Sequence, residues 1–578
     1  MERTSLPADS PQGAQPGPGL GSALGRQQRL AQRALPLVVL AAVAFGAGAV
    51  AGGGGEPAEQ RTARAFGQAW ARGDYPAMYA LLTERARRSV TRRAFTGSYR
   101  RAAATATAVR VNVGRAPDPK DGVVALPVRV RTRIFGTVAA QVRLPFEEHD
   151  DRVGVAWAPH LVFPGLAPGM KLRRRTEMPP RADLLARDGT PLASRNGEAS
   201  PLGESAGALV GVLGPAPRSR RAELRAVGYP SDAQVGISGL EAALERGLAG
   251  RPGGELLAGD RRLASSRPQA SPPVRSTIDP DLQRAASEAL EGRVGGIAVM
   301  RPGDGEVLAL SGEAATSLQP PGSTFKLVTL TAVLETRAAS PDTKFPVKTS
   351  ATLDGSELQN ANEESCGGTL VQSFAHSCNS VFAPLGAKVG AARLVATAER
   401  YGFNRPPGLP GAATSRIPPA DEIDGALAEG STAIGQDKVE ATALQMTSIA
   451  ATIGAGGRRA LPTVLLGARP RVSRIIAPRI AQTIRRMMVA AVKYGTGTSA
   501  AISGVQVAGK TGTAELGVTQ GEGVEGEDTP EDTDAWFASF APARRPKVAV
   551  GVLLVRSGVG GETAAPAAKT VLETALKD

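Results

Sequence analysis

The chain has 578 residues, enough for about three or four domains that each bury a hydrophobic core. Its formal net charge is +14, but the excess of Arg together with Ala and Gly is typical of GC-rich codon usage. Because we find no zinc finger, no helix-turn-helix and no basic stripe interleaved with aromatic residues, the composition argues against a nucleic-acid-binding protein. The two cysteines, Cys366 and Cys378, and the histidines His149, His160 and His376 never show metal-ligand spacing, which argues against a structural zinc site.

The N-terminal region predicts a tail followed by a membrane anchor. Residues 1–33 hold Pro, Gly, Ser and Gln without periodicity and carry arginines near their end, as a disordered basic tail does. The uncharged run ALPLVVLAAVAFGAGAV follows, and about 17 apolar residues is near the lower limit for a bilayer span. We expect a transmembrane helix at 34–52 with the tail inside and the remainder outside. A cleaved signal peptide, which would export the same residues, and a buried core helix are the alternatives.

Two domains are expected between the anchor and residue 276. Residues 56–165 begin with helix-like segments and continue with alternating segments such as VVALPVRVRTR, which predicts a small α+β domain. Residues 166–275 are rich in turn residues, with a helix expected at 236–249 and a connector rich in Pro and Ser near the end. We expect an extended linking domain in this part of the chain.

The remaining domain, residues 276–578, is predicted to be an α/β unit. Ser, Thr and Asp precede apolar residues at helical spacing in STIDPDLQRAASEALEGR. The segment GGIAVMRPGDGEVLALSG then reads as two strands joined by a tight turn. A strand pair that feeds long helices is therefore expected to open this domain.

Three short motifs in this domain carry reactive side chains. In QPPGSTFKLVTLTAVLE at 319–335, Ser323 is expected to open a helix, with Lys326 one turn later on the same face. Residues at i and i+3 have Cβ atoms about 5–6 Å apart, so an amine can take a proton from a hydroxyl. The positive potential of a helix N-terminus favours an alkoxide at Ser323 and helps to keep the lysine neutral.

The other two motifs supply groups that would complete such a site. In SFAHSCNS at 373–380, the hydroxyl of Ser377 can relay a proton and the amide of Asn379 can orient a lysine or a carbonyl. In GVQVAGKTGTAE at 504–515, an alternating strand, we expect Gly512 to let substrate approach the backbone closely. The cation and hydroxyls on this strand, from Lys510, Thr511 and Thr513, can hold a carboxylate, and an edge N–H can stabilise an oxyanion.

Each motif alone is weak evidence, but their order and placement resemble the penicillin-recognising serine enzymes. The segments PPGSTFK, SCNSVFAPLG, AIGQDKVEATALQM, YGTGT, GKTGTAE and DAWFASFAPA are similar to class B penicillin-binding proteins, the peptidoglycan D,D-transpeptidases. Segments 179–193 and 235–255 resemble the pedestal or dimerisation region of that family. PHLVFPGL and the helical sequence before it resemble the nuclear-transport-factor-2-like domain of some members.

The resemblance implies a fold and a reaction. The chain would comprise a single transmembrane helix, the small α+β domain, the pedestal and a transpeptidase domain with an antiparallel sheet between helices. Ser323 would attack the penultimate D-Ala carbonyl of a stem peptide with Lys326 as base. Ser377 would relay protons and Asn379 would position Lys326 and the substrate amide.

The same resemblance implies that Lys510, Thr511 and Thr513 clamp the substrate carboxylate. Backbone N–H groups of Ser323 and Thr513 would form the oxyanion hole, and no metal or organic cofactor is needed. Expected partners are D-Ala-D-Ala stem peptides, β-lactams, the cell membrane and a glycan polymerase with other wall-synthesis proteins. The absence of a recognisable glycosyltransferase domain favours class B over the bifunctional class.

Three further features have less specific interpretations. Cys366 and Cys378 flank the helix that is expected to deliver Ser377 and Asn379, and outside the cytoplasm a disulfide is expected rather than two buried thiols, with a stabilisation of up to roughly 3 kcal/mol. His376 is expected to face away from Ser377 as a surface or packed residue, because helical neighbours point apart. The acidic run at 515–534 reads as a solvated loop or as a gate over the cleft.

Two other functions share some of these features. A D,D-carboxypeptidase or β-lactamase uses the same acyl-enzyme but passes the acyl group to water. The anchor-plus-pedestal organisation and the absence of a recognisable deacylating glutamate favour transfer to an amine. A non-catalytic scaffold or a β-lactam sensor would not need the complete set of motif residues, and the short tail offers no signalling domain.

Overall fold

The computed structural model describes residues 56–150, 152–194, 199–515 and 533–577. The predicted tail, the predicted anchor at 34–52 and most of the acidic run lie outside these residues. Within them, no single helix has the length and apolar composition needed to cross a membrane. One sharply bent pair of helices, Asn379–Val389 with Ala391–Tyr401, has that composition as a pair, and much of it lies in a buried core.

The described residues form two compact units. One holds the described residues up to Arg92 together with Val113–Pro127 and Gln141–Ala158. The other holds Arg93–Asn112, Val128–Ala140 and the chain from Pro159 onward. All the motif residues named above belong to the second unit.

The first elements are helices followed by strands, as the sequence predicts. The helices are α1 (Ala58–Arg72), α2 (Tyr75–Ala80), α3 (Glu84–Ser89) and α4 (Arg92–Thr105). The strands are β1 (Ala108–Val113), β2 (Val123–Thr132), β3 (Thr137–His149) and β4 (Arg152–Val155), in the sheet order β1-β2-β3-β4. Helix α1 buries Phe66 and Trp70 on one face and ends where Gly73 adopts a left-handed φ of 71°.

Short strands and helices dominate the next part of the chain. The strands are β5 (Leu172–Glu177), β6 (Leu184–Leu185), β7 (Pro191–Ala193), β8 (Leu213–Pro215), β9 (Gln234–Gly236), β10 (Gly253–Ala258), β11 (Arg261–Ser266) and β12 (Val274–Arg275). The helices are α5 (Glu204–Val210), α6 (Arg218–Val227), α7 (Gly239–Ala243) and α8 (Glu245–Leu248). They form the sheets β11-β10-β5, β12-β6-β7 and β8-β9.

The single helix predicted at 236–249 is wrong, because the segment forms the end of β9 and two short helices. Gly236 belongs to the strand, and a Cβ there would lie 2.1 Å from the backbone of Glu241, so the chain turns back on itself at this point. Arg181 holds the two helices together by donating to Glu241 at 2.7 Å and to Glu245 at 2.8 Å.

The C-terminal part is built on a five-stranded antiparallel sheet. Its strands are β13 (Gly295–Met300), β14 (Val307–Gly312), β21 (Ala508–Glu515), β22 (Thr533–Ala541) and β23 (Val548–Leu554), in the order β14-β13-β23-β22-β21. Strands β13 and β14 pair as the hairpin that the sequence predicts. Strand β21, which carries the third motif, lies at one edge of the sheet.

Helices cover both faces of this sheet. Helices α9 (Pro280–Leu290) and α17 (Ala564–Leu576) contribute to the core that takes Ile297 and Val299 from β13. Helices α10 (Lys326–Thr336), α15 (Ala443–Gly454) and α16 (Pro478–Tyr494) contribute to the core that takes Ala298 and Met300. Successive strand residues thus point to opposite faces, and the near-complete burial of β22 and β23 follows from helices on both sides.

A set of shorter elements completes this part of the chain beside the sheet. Its helices are α11 (Leu370–Ala375), α12 (Asn379–Val389), α13 (Ala391–Tyr401) and α14 (Gly425–Ala433). Its strand pairs are β15 (Lys344–Lys348) with β18 (Cys366–Thr369), β16 (Ser350–Leu353) with β17 (Ser356–Gln359), and β19 (Arg458–Ala460) with β20 (Val472–Arg474). The second motif lies between α11 and α12.

Candidate active site

Ser323 lies in a turn that leads into the buried helix α10. The sequence predicted that Ser323 opens the α-helix, whereas the structure has one turn of 3₁₀-helix, Gly322–Phe325, and the α-helix begins at Lys326. Thr324 tightens this turn, since its Oγ1 donates to the carbonyl of Pro321 at 2.6 Å. A residue with a Cβ would not fit at Gly322, because its φ is +49° and the Cβ would lie 2.4 Å from the carbonyl oxygen of Thr513.

The segment AIGQDKVEATALQM holds this turn in place through backbone hydrogen bonds. The N–H of Gly322 donates to the carbonyl of Gly435 at 3.0 Å. Gln319 and Ala441 exchange two backbone hydrogen bonds, at 3.1 and 2.8 Å. The sequence predicted no role for this segment beyond its family resemblance, and the structure shows that it holds the turn that carries Ser323.

Lys326 is fully buried, and its Nζ points at the second motif. Its Nζ donates to the backbone carbonyl of Ser377 at 2.6 Å and to Asn379 Oδ1 at 2.6 Å, and it lies 3.3 Å from Ser377 Oγ. Burial, and secondarily the nearby charge of Lys510, hold the pKa of Lys326 well below its ordinary value. Among the described residues no hydrogen bond joins Lys326 to Ser323.

Ser377 has an unusual backbone conformation that brings its polar groups to the two lysines. Its φ is +61°, in the left-handed region that residues with a Cβ seldom adopt, and it lies in the short break between α11 and α12. Its carbonyl faces Lys326, and its hydroxyl accepts a hydrogen bond from Lys510 Nζ at 2.8 Å. The hydroxyl of Ser377 therefore lies between two buried amines.

Asn379 is held in place by residues on the strand β17 side of the site. Its Nδ2 donates to the carbonyl of Gln359 at 2.7 Å, which leaves Oδ1 for Lys326. The next residue, Ser380, donates its N–H to Asn360 Oδ1 at 2.8 Å. Sequence reasoning missed Gln359 and Asn360, because no motif marks residues that act through their contact with Asn379 and its neighbour.

A disulfide joins Cys366 in β18 to Cys378, with Cα atoms 5.6 Å apart. Cys378 lies between Ser377 and Asn379, the two residues that accept hydrogen bonds from Lys326. The disulfide therefore links both residues to β18 and its partner strand β15. Both half-cystines are buried, at 5% and 0% exposure, so the bridge is shielded from solvent.

Lys510 projects from the edge strand into the same cluster. Its side chain is fully buried and donates to Ser377 Oγ at 2.8 Å and to the carbonyl of Thr511 at 2.9 Å. Burial lowers the pKa of Lys510 to about 7. The two amines lie over aromatic rings, Lys326 over Phe382 at 5.6 Å and Lys510 over Phe374 at 5.7 Å.

The backbone of β21 presents polar groups at its open edge. Gly512 and Trp536 are register partners, and their carbonyl oxygens both lie close to Gly560, as expected for a pair that exchanges hydrogen bonds. The neighbouring residue Thr513 therefore directs its N–H and carbonyl away from β22, and its carbonyl meets Gly322. The Thr513 N–H is thus on the side of the turn that carries Ser323.

Gly512 is required for close packing inside the protein. A Cβ at this position would lie 2.9 Å from the carbonyl oxygen of Pro321 and 2.9 Å from Trp536 Cβ. The glycine allows the edge strand to pack closely against the turn that carries Ser323, and its role in the approach of substrate stays a prediction.

The two threonine hydroxyls of the third motif have partners from other segments. Thr511 Oγ1 lies 2.5 Å from Thr496 Oγ1, and Thr513 Oγ1 accepts the N–H of Gly560 at 3.4 Å. Thr496 belongs to the YGTGT segment, for which the sequence predicted no role, and no signal in the sequence marked Gly560. His376 does not enter the cluster, since its ring packs near Tyr494 and its Nδ1 lies 4.0 Å from Glu364.

Similarity to known proteins agrees with this geometry. Residues 295–573 match the penicillin-binding protein transpeptidase domain, residues 58–170 the NTF2-like N-terminal transpeptidase domain, and residues 199–263 the penicillin-binding protein dimerisation domain. The peptidoglycan D,D-transpeptidase PbpA of Mycolicibacterium smegmatis is 31% identical over 411 residues, which cover 59% of this chain and 80% of the relative. The chain belongs to the penicillin-binding protein transpeptidase family. The family resemblance drawn from the motifs, including the NTF2-like domain, is therefore confirmed.

Other members of the family are similar over different lengths. PbpA of Mycobacterium tuberculosis is 33% identical over 339 residues, and the match spans 54% of this chain but only 64% of that relative. The D,D-transpeptidase domain of the peptidoglycan glycosyltransferase from Eggerthella lenta has a similar structure, with a TM-score of 0.55 and 27% identity. That comparison covers 69% of this chain and 98% of the other.

The backbone strain at Ser377 can be measured with two substitutions that both remove its hydroxyl. Ser377→Gly should unfold at a higher urea concentration than Ser377→Ala, because glycine adopts a left-handed φ without the cost of about 1 kcal/mol that alanine incurs. Equal stability of the two variants, or a more stable alanine variant, would show that residue 377 is not strained in the folded protein.

Proposed function

We propose that this protein is a peptidoglycan D,D-transpeptidase that cross-links stem peptides through an acyl-enzyme on Ser323. The observation that supports this most strongly is the arrangement of two buried lysines around the hydroxyl of Ser377, next to the turn that carries Ser323. The 31% identity to a protein named peptidoglycan D,D-transpeptidase PbpA, over 80% of its length, adds independent support.

In the acylation step, Ser323 Oγ attacks the carbonyl carbon of the penultimate D-Ala. Lys326 accepts the proton that Oγ loses, which requires a neutral amine at working pH and is favoured by its lowered pKa. The bond from that carbon to the terminal D-Ala nitrogen breaks, and the Ser377 hydroxyl passes a proton to the departing amine while Lys326 returns to Ser377 the proton that it took from Ser323. The products are a Ser323 ester and free D-alanine.

The edge strand holds and polarises the substrate in this proposal. The substrate carboxylate binds to Lys510 with Thr511 and Thr513, while the N–H groups of Ser323 and Thr513 bind the developing oxyanion. The outward direction inferred for the Thr513 N–H supports this assignment. An extended stem peptide then lies along the open edge of β21 as an added strand.

In the second step, an amine from a neighbouring stem peptide attacks the ester carbonyl. The new amide bond forms as the carbon–Oγ bond breaks, and the proton lost by the amine returns to Ser323 through the Lys326 and Ser377 cluster. One cross-link forms for each D-alanine released, and the step requires no metal and no organic cofactor.

Acylation by benzylpenicillin tests the nucleophile directly. The wild-type protein should gain the mass of one intact benzylpenicillin, because opening of the β-lactam ring leaves no departing group. Ser323→Ala should gain no mass under the same conditions, since it has no hydroxyl to acylate. The assignment would be contradicted if the folded wild type carried no adduct at position 323 and Ser323→Ala gained an adduct of the same size.

The fate of the acyl group distinguishes a transpeptidase from a D,D-carboxypeptidase or β-lactamase. With a D-Ala-D-Ala stem peptide as donor and an amine-bearing stem peptide as acceptor, we expect cross-linked dimer to exceed hydrolysed donor. Mass spectrometry of the products measures both. Hydrolysed donor alone, at saturating acceptor, would identify a hydrolase with the same nucleophile.

We also propose that the domains act outside the cytoplasm and remain attached to the membrane. The apolar run at 34–52 and the arginines before it support a single anchor with the remainder outside. The proposed boundaries are a tail at 1–33, an NTF2-like domain at 56–165, a pedestal at 166–275 and the transpeptidase domain at 276–578. Because a transpeptidase needs nascent glycan strands, a glycan polymerase and other wall-synthesis proteins are its proposed partners.

A further inference from the structure

A ledge built from two segments borders the carboxylate clamp. Thr496 donates both its N–H, at 3.0 Å, and its hydroxyl, at 3.4 Å, to the carbonyl of Ala375. A Cβ at Gly495 would lie 2.1 Å from that same carbonyl oxygen, so the two segments are in direct contact. We call residues 375–377 and 494–496 the ledge.

The ledge is joined to the proposed catalytic residues at both ends. One of its segments ends in Ser377, whose hydroxyl lies between the two lysines. The other ends in Thr496, whose Oγ1 lies 2.5 Å from Thr511 Oγ1 on the edge strand. A group that rests on the ledge therefore lies beside the clamp for the substrate carboxylate.

Two aromatic rings stand on the outer side of the ledge. The rings of Tyr494 and His376 have centroids 6.3 Å apart, and Tyr494 is 46% exposed. Among the described residues, Tyr494 is the only Phe, Trp or Tyr classed as exposed, in a chain with few aromatic residues. The carboxylate of Glu364, itself exposed, lies 4.0 Å from His376 Nδ1, so a negative group accompanies the rings.

The chemistry of the second step determines which ligand reaches this ledge. Attack of an amine on the ester is the reverse of expulsion of D-alanine, so the incoming nitrogen occupies the position that the departing nitrogen vacates. The departing D-alanine is the residue whose carboxylate the clamp holds. The body of the acceptor must therefore extend past Thr511 and Thr496, towards the ledge.

We propose that Tyr494, with His376 and Glu364 beside it, forms the subsite that binds the acyl acceptor, a peptide bearing a primary amine. The attacking amine lies at the ester in its neutral form, so the ring of Tyr494 packs against the body of the acceptor peptide, and the negative charge of Glu364 attracts the cationic acceptor as it approaches. Acylation needs no acceptor, so this subsite acts only in the second step. The inference rests on the proposed function.

The test separates the two steps. A depsipeptide ending in D-lactate acylates the enzyme, and D-alanine and an amine-bearing tripeptide serve in turn as acceptors at increasing concentration. For Tyr494→Ala we expect the tripeptide concentration that gives half-maximal aminolysis to rise about 3- to 10-fold, because the peptide loses its contact with the ring. The same concentration should stay within twofold of wild type for Tyr494→Phe, which keeps the ring. It should also stay within twofold for the control Lys493→Gln, which changes the neighbouring exposed residue.

The rate of acylation by benzylpenicillin is the second readout. It should remain within about twofold of wild type in Tyr494→Ala, because no acceptor takes part in that step. Unchanged acceptor dependence in Tyr494→Ala overturns the inference, and so does an equal loss of acylation and aminolysis, which indicates a structural role. A wild-type protein that benzylpenicillin does not acylate would instead overturn the proposed function itself.

Discussion

The site depends on the burial of two lysine amines against one serine hydroxyl. Lys326 and Lys510 are both fully buried and both reach Ser377. Among the described residues neither amine has a carboxylate within ion-pair distance. No opposite charge therefore compensates for the free-energy cost of burying a charged amine. Since a charged amine is costly in such surroundings, the pKa of each group falls, and a neutral amine becomes available as a base. Histidine, the usual base near neutral pH, is absent from the cluster.

The rest of the fold serves to hold this cluster together. The sheet supplies an edge strand, and Gly512 lets it pack against the turn at Pro321. Lys326 is buried at the start of helix α10. The break between α11 and α12 turns the carbonyl of Ser377 towards Lys326. The disulfide at Cys378 and the amide contacts of Asn379 fix the other side. Groups from three distant stretches of sequence therefore meet with hydrogen-bond geometry before any substrate binds.

The sequence predicted the elements that carry reactive groups better than the contacts that position them. The hairpin at β13 and β14, the helix after Ser323 and the strand with Lys510 follow from local periodicity and turn residues. The 3₁₀ turn at Ser323 did not, because it depends on a hydrogen bond to Gly435, more than a hundred residues away. The left-handed Ser377 is equally non-local, since its conformation is stabilised by contacts with buried lysines. The prediction of one helix at 236–249 was wrong because close packing of Gly236 against Glu241 overrides helical periodicity.

The pH dependence of acylation tests most directly whether Lys326 is a base with a lowered pKa. A lysine with the ordinary pKa near 10.4 would make the second-order rate constant for benzylpenicillin rise about 100-fold from pH 7.5 to 9.5, tenfold for each pH unit. Because burial lowers the pKa of Lys326, we predict a rise clearly smaller than 100-fold that becomes shallower towards pH 9.5. A continuous tenfold rise per pH unit across the range would contradict the account.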